Sequence, residues 1–340
     1  MKKETIISRL PHLRRHPHQD AVVENHVETV QGKGFVWTDI LNPTRDEIDN
    51  LGKTYNFNLL NLDDSISKIQ LAKIDNYDDH SFVIFHFPPL AIKRGMPRFS
   101  QLAVFIGKDF LITIHYGDLK PLVDIFRQCK DSEQRRAEVL SKSPGFLLHK
   151  IIDTLVDDLL HTLRRIVANL DEIEDDVFDE NKSTPKKISL VRREITILRR
   201  IVNPLRRIVL ETSKNTQRFS SPDDDLVLHF DDVIDHLDKV IETLEEARET
   251  MEIYKDTDFM LSTEKSNNIL ATLTIIFTFS IPATVIGAMY GMNVNLPGGL
   301  ETGPWMIFGE FTTFYVLLAL SIVPAIMMFL WFYRRDWLVD

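Results

Sequence analysis

The stretch from Ser266 to Leu300 reads SNNILATLTIIFTFSIPATVIGAMYGMNVNLPGGL and contains no Asp, Glu, Lys, Arg or His. A second uncharged run, Phe311 to Tyr333, follows after a link that holds Glu301 and Glu310. A membrane-spanning helix needs about 20 mainly apolar residues. Both runs meet this requirement, so the sequence predicts a two-helix transmembrane hairpin.

The first span ends at the triplet Gly291-Met292-Asn293, and few residues separate the triplet from the second span. This placement resembles the CorA family of divalent-cation channels, whose pore mouth carries Gly-Met-Asn after the first of two spans. The closing run Arg334-Arg335-Asp336-Trp337-Leu338 is also similar to the basic run and Trp-Leu of family members. A non-conducting hairpin that anchors a scaffold is the alternative from another functional class.

The resemblance implies a CorA-like homopentamer in which five long helices line one axis and the first span forms the pore. It implies passive transport of Mg2+, with Co2+ and Ni2+ as further ions, gated by cytosolic metal. Gly291, Met292 and Asn293 are then expected to form the selectivity element at the pore mouth.

The sequence of the loop leaves a second transported ion as an alternative. After Asn293 the chain reads Val294-Asn295-Leu296-Pro297-Gly298-Gly299, which is similar to the ZntB-like zinc branch of the same family. That branch usually changes the central Met of the triplet, whereas Met292 is retained here. A ZntB-like Zn2+ transporter of the same fold is therefore the alternative function.

Counting back from Asn293 at helical spacing gives a candidate pore wall, called here the predicted pore stripe. It is apolar except for two positions and contains no carboxylate, and it comprises Gly291, Ala288, Thr284, Ile281, Phe277, Leu273, Leu270 and Asn267. Mg2+ gives up its water reluctantly, so neutral oxygens at Thr284 and Asn267 suit an ion that moves with much of its hydration shell. Ordinary helix packing, with Thr and Asn joining helices, is the alternative interpretation.

Composition limits the other functions. A net charge of −10 argues against a nucleic-acid partner, because such proteins neutralise phosphates with Lys and Arg. The single cysteine, Cys129, excludes a thiolate metal site. We find no Gly-rich phosphate loop and no nucleophile constellation, so we expect no enzyme.

The basic residues predict the orientation in the membrane. Arg334 and Arg335 follow the second span and Lys255 and Lys265 precede the first, while residues 293–310 carry none. Because positive residues stay on the cytoplasmic side, both termini are expected inside. This predicts a protein of the cell (inner or plasma) membrane, surrounded by lipid.

The predicted domain organisation has six parts. They are a cytosolic α/β domain (1–145), a cytosolic helical stalk region (146–265), the first span (266–292), an external loop (293–310), the second span (311–333) and a basic cytosolic tail (334–340). In the α/β domain, Thr44 and Glu47 have the spacing of a capping box before a helix from about Arg45 to Tyr55. Gly107-Lys108-Asp109 reads as a hairpin turn.

The stalk region shows helical patterns. One segment has a heptad-like seam made of Ile188, Val191, Ile195, Leu198, Val202, Leu205 and Val209. Arginine pairs recur beside it every seventh residue, and we expect acidic helices to pair with them. From Asp223 to Ile281 there is neither Gly nor Pro, which predicts one long helix. Its apolar stripe must be covered by another copy or by the same chain folded back.

The acidic stretch Asp231 to His236 is similar to the segment where the family binds regulatory Mg2+ between subunits. Asp232 and Asp235 are the expected ligands on the stalk, and Asp64 of a neighbouring subunit is the expected partner. A solvated acidic helix face is the alternative.

Overall fold

The computed structural model describes residues 26–67, 70–88, 99–179, 184–221, 224–292, 296–298, 303–307, 309 and 311–335. The chain divides into two units, Met1–Glu252 and Ile253–Asp340.

A six-stranded sheet with the order β1-β2-β6-β5-β4-β3 forms the centre of the first unit. Strands β2 and β6 are parallel, and the other neighbouring pairs are antiparallel. In chain order the strands are His26–Gln31, Val36–Leu41, Lys73–Asn76, His80–Phe87, Ser100–Gly107 and Phe110–His115.

Helices cover both faces of this sheet, and β4 and β5 are therefore buried along their whole length. On one face, α1 (Arg45–Tyr55) and α2 (Leu59–Ile66) place Ile48 and Leu62 against a core of strand residues. On the other face, β4 contacts α6 and β5 contacts α5. The sheet thus lies between two layers of helices, and the second layer, α5 and α6, comes from the region predicted as the helical stalk.

The start of α1 is fixed by the predicted capping box. The hydroxyl of Thr44 accepts from the backbone N–H of Glu47 at 3.4 Å, and the Thr44 N–H donates to the Glu47 carboxylate at 2.8 Å. Two amides that the helix would leave without partners are thereby satisfied. The prediction of a helix from Arg45 to Tyr55 is confirmed.

The predicted hairpin is also confirmed, because β5 and β6 pair antiparallel on either side of the turn at residues 107–109. Gly107 is needed there for steric reasons. A Cβ at this position would lie 2.5 Å from the ring of Phe110.

The remaining helices of the first unit are α3 (Lys120–Asp131), α4 (Glu133–Val139), α5 (Pro144–Val177) and α6 (Pro185–Thr216). A short 3-10 turn, Gln217–Phe219, follows α6. Every residue of the predicted heptad-like seam on α6 is buried, from Ile188 to Val209. The seam therefore packs within the chain.

Helix α7 runs from Leu226 to Gly291 and confirms the prediction of one long helix. Its apolar stripe at Leu237, Leu244 and Met251 is buried within the single chain, so the fold-back alternative accounts for this part of the helix. The rings of His149 on α5 and Phe230 on α7 lie 5.3 Å apart.

Ion pairs join α6 to α7 at a regular interval, as predicted from the arginine pairs. Arg192 pairs with Glu252, Arg199 with Glu245 and Arg206 with Asp238. Because both sets recur every seventh residue in opposite chain directions, the two helices run antiparallel in this region.

The second unit contains the C-terminal part of α7 and helix α8 (Thr312–Arg334). Within the described residues, these two helices are long and apolar enough to cross a membrane. The expected two spans thus fall on α7 and α8.

Candidate ion pathway and metal centre

The membrane part of α7 has one face that packs on α8. Phe279 anchors this face, with its ring 6.1 Å from that of Phe329 and 6.0 Å from that of Phe332. Residues at helical spacing around Phe279 are half-buried in the same way, namely Ile275, Thr278, Pro282, Ile286 and Tyr290.

The predicted pore stripe lies on the other side of α7. At about 100° per residue, Phe277 points about 160° away from Phe279. Its side chain is 66% exposed, and that of Leu273 is 45% exposed. Every member of the stripe is exposed in the single chain, from Asn267 through Leu270, Ile281, Thr284 and Ala288 to Gly291. The structure therefore leaves the whole stripe uncovered by its own chain.

Thr284 is the polar member of the stripe nearest the triplet, and its hydroxyl has a fixed hydrogen bond. The hydroxyl donates to the backbone carbonyl of Ser280 at 2.8 Å. Since the proton is used within the helix, the oxygen is left as an acceptor. An acceptor on this face can receive a hydrogen bond from water that hydrates a cation.

The triplet stands at the end of α7. Gly291 is the last residue of the helix, and the exposed Met292 donates its N–H to the Met289 carbonyl at 3.3 Å. The Tyr290 hydroxyl donates to the carbonyl of Pro297 at 3.0 Å, which ties the link back to the helix end. Asn293 lies outside the described residues.

Asp64, an expected regulatory ligand, is engaged within its own chain. Its carboxylate accepts from Gln70 at 2.5 Å and pairs with Lys73 at 2.8 Å. Burial works to lower the pKa of Lys73, but hydrogen bonds to Asp64 and Asp75 outweigh it and raise that pKa. A cation at Asp64 would therefore compete with the Lys73 ammonium.

The structure brings a different set of side chains together around Asp232. Asp153 of α5 and Asp232 and His236 of α7 offer ligand atoms that all lie within 4.8 Å of one another. The Nδ1 atom of His236 is buried and has no hydrogen-bond partner in the described part of the chain. This group, called here the Asp153 centre, has the donors of a divalent-metal site. Neither Asp64 nor Asp235, which is exposed, belongs to it.

Sequence reasoning placed Asp232 among the ligands but did not assign Asp153 or His236. The four-residue spacing of Asp232 and His236 puts both on one face of a helix, which was an available signal. Asp153 gave no such signal, because it comes from another helix. Its carboxylate also accepts from Lys150 at 3.0 Å.

The family model described as CorA-like Mg2+ transporter protein matches residues 32–334. The chain belongs to the CorA-like Mg2+ transporter family. This is a family of membrane transporters and not of enzymes, and the two apolar helices α7 and α8 agree with it.

Individual proteins show the same likeness over most of the chain. The protein named "Putative metal ion transporter YfjQ" of Bacillus subtilis is 28% identical over 89% of this chain and 90% of its own length. The "Cobalt/magnesium transport protein CorA" of Thermotoga maritima is 24% identical over 89% of this chain and 83% of its own length.

A solved structure confirms the fold. The complete structure of the CorA magnesium transporter from Methanocaldococcus jannaschii superposes with a TM-score of 0.72 and 20% identity. The match covers 91% of this chain and 93% of that one. The expected CorA-like architecture, an α/β domain followed by a long helix and a C-terminal apolar helix, is therefore confirmed.

Proposed function

We propose that this chain assembles into a homopentamer that conducts divalent cations passively across the cell membrane. Mg2+ is the main ion of this proposal, and Co2+ and Ni2+ are further ions. The relatives named for magnesium and cobalt transport support it.

The observation that carries the proposal is the exposed pore stripe of α7. One face of the membrane part packs on α8, whereas the stripe from Asn267 to Gly291 is uncovered and leads to the triplet. In a ring of five copies this face would line the axis. Gly291, Met292 and Asn293 would then stand at its outer mouth, with both termini in the cytoplasm.

The chemistry of the stripe suits a hydrated cation. Rings of Thr284 and Asn267 oxygens would accept hydrogen bonds from the ion's water, and five Asn293 amides would capture the hydrated ion at the mouth. Between them, Leu270 and Leu273 would form an apolar constriction that can exclude water. The membrane potential supplies about 2.3 kcal/mol per charge per 100 mV.

The Asp153 centre supports regulation by cytosolic metal. Its two carboxylates repel each other when no cation is present, and a bound cation would remove this repulsion. The imidazole of His236 suits Co2+, Ni2+ or Zn2+, while Mg2+ would rely on the carboxylates and its own water. Metal would favour the closed state only as far as it binds that state better. Asp64 and Asp235 remain the proposed ligands between subunits.

Reconstitution into liposomes tests the proposal. Flux is measured separately for Mg2+, Zn2+, Co2+ and Ni2+ under an imposed potential, with protein-free liposomes as the control. Mg2+ flux that follows the potential is the expected result. Zn2+ flux without Mg2+ flux would identify the ZntB-like alternative, and no flux of any ion would leave the non-conducting anchor.

A further inference from the structure

A cavity of about 640 Å³ lies in the first unit where four parts of the chain meet. They are the β1–β2 turn, the β5–β6 turn, the start of α5 and the connection from α6 to α7. The channel proposal makes no use of this cavity. Its volume is in the range of small-molecule sites, roughly 300–1,000 Å³.

The cavity lining is strongly basic. Lys33, Lys108, Lys142 and Arg218 all line it, and Asp224 is the acidic residue among the lining side chains. Within the described residues none of these four cations forms an ion pair with a carboxylate. The chain as a whole carries a net charge of −10, so this concentration of positive charge runs against its composition.

The one carboxylate of the lining is already engaged. Asp224 accepts from the hydroxyl of Ser143 and from the backbone N–H of Ser221 at 3.1 Å. Asp224 is therefore already hydrogen-bonded within its own chain. Its single negative charge can offset only one of the four cations, so three positive charges of the lining remain uncompensated.

Two of the cations are held in place by neighbours. The Nη2 of Arg218 donates to the His80 carbonyl at 3.0 Å and to the Ser81 hydroxyl at 2.8 Å. The Lys142 ammonium sits 4.0 Å from the centre of the Phe146 ring. Since these contacts fix the cations without neutralising them, an anion that enters meets charges that are already positioned.

We propose that this cavity binds a polyphosphate-bearing anion of about the size of a nucleoside triphosphate. Four cations match a ligand with three or four negative charges, whereas a single phosphate would leave part of the lining uncompensated. The N-terminus of the long helix α5 opens on the same cavity and adds a favourable dipole for an anion.

Isothermal titration of the detergent-solubilised full chain tests the proposal, in buffer without divalent cations. The probes are tripolyphosphate, ATP, inorganic phosphate and glycerol 1-phosphate, the last representing a lipid headgroup. We expect tripolyphosphate and ATP to bind once per chain, at least tenfold more tightly than the two monophosphates, and more weakly as salt rises. Equal or tighter binding of glycerol 1-phosphate would overturn the polyphosphate assignment.

A charge-reversal variant locates the site. We expect a triple variant to bind tripolyphosphate at least tenfold more weakly than the unaltered chain. Its three changes are Lys33→Glu, Lys108→Glu and Lys142→Glu. The matched control reverses three exposed cations of α6 outside the cavity, Lys186, Arg193 and Lys214. It should leave the affinity within about twofold. Equal losses in both variants, or no binding by the unaltered chain, would overturn the proposal.

A second readout covers the case in which the triple variant does not fold. Hydrogen exchange of the unaltered chain should slow on addition of tripolyphosphate at the amide of Ser221, which lines the cavity, and at the amide of Phe146, which donates to the lining residue Ser143. Exchange that is unchanged there would contradict the proposal. Neither experiment uses a transported cation, so both outcomes are independent of the proposed channel activity.

Discussion

Arg206 of α6 donates two hydrogen bonds to the carboxylate of Asp238 on α7. Its Nε donates to one oxygen, and its Nη2 donates to the other at 2.8 Å. Hydrogen bonding to Asp238 raises the pKa of Arg206. The planar guanidinium matches the carboxylate on both oxygens, which an ammonium cannot do. Of the three ion pairs that join α6 to α7, this pair lies nearest the start of α7.

The two-donor geometry predicts that Arg206→Lys destabilises the chain by about 0.5–1 kcal/mol, because the pair is partly exposed and therefore screened. The melting temperature of the solubilised chain should fall by a few degrees at most. The neighbouring Arg207→Lys is the matched control, since Arg207 is exposed and forms no ion pair in the described residues. An equal effect of both changes would remove the special role of Arg206.

The Asp153 centre predicts that metal protects the first unit from proteolysis through three side chains. We expect each of three single variants to need an at least tenfold higher Co2+ concentration for the same protection from proteolysis. The variants are Asp153→Asn, Asp232→Asn and His236→Ala. For Mg2+, the His236 change should have a smaller effect than the Asp changes. Asp157→Asn, one turn along α5 from Asp153, is the matched control.

A separate variant tests the role proposed for Asp64. Asp64→Lys combined with Asp232→Lys should weaken both Mg2+ protection and inhibition by internal Mg2+ more than Asp232→Lys alone. If the double variant behaves as the single variant does, Asp64 only pairs with Lys73 and is not a ligand of the regulatory metal.

The selectivity proposal predicts that Asn293→Ala abolishes transport without disturbing oligomer assembly. Removing the amide takes away the oxygen that captures the hydrated cation, while the apolar contacts between copies are kept. Flux into liposomes and the oligomer mass by light scattering check the two parts. Asn295→Ala, in the same link but outside the triplet, is the control. Near-normal flux in the Asn293 variant would sink the selectivity ring.

The gate proposal predicts that Leu273→Asn raises basal flux, because a polar side chain wets an apolar constriction. Leu320→Asn places the same change in α8 and controls for a polar residue in a span. Unchanged or lower flux in the Leu273 variant would place the gate elsewhere on α7.

Much of this fold could be predicted from the sequence because local signals agree with the tertiary structure. The uncharged runs reflect the length and composition that a membrane span requires. The capping box at Thr44 and the seam on α6 each reflect a requirement that the chain meets by itself. Strands β1 and β3 were not predicted, and Lys73-Ile74-Asp75-Asn76 of β3 carries no alternation of apolar and polar residues.

The Asp153 centre marks the limit of sequence reasoning at the candidate site. Asp153 and Asp232 are far apart in sequence, and helical spacing does not reveal which face of α5 meets α7. The engagement of Asp64 by Lys73 was hidden for the same reason, because it depends on how α2 and β3 pack. All members of the predicted pore stripe lie on one helix, so helical spacing alone could predict that they share a face.

The stability of the first unit should depend on pH through His86 in strand β4. Burial lowers the pKa of His86 from 6.5 to about 4, its Nε2 has no hydrogen-bond partner in the described residues, and its ring stacks on Phe99 at 3.9 Å. Because the unfolded chain binds this proton more readily, the folded state should lose stability as the pH falls from about 6.5 towards 4. A pKa difference of this size corresponds to a loss of about 3 kcal/mol. His86→Phe keeps a stacking ring without a titrating group, so its melting temperature should fall less between pH 7 and pH 4.5 than that of the unaltered chain. His161→Phe, at an exposed position of α5, is the control, and identical pH profiles of all three proteins would contradict the assignment.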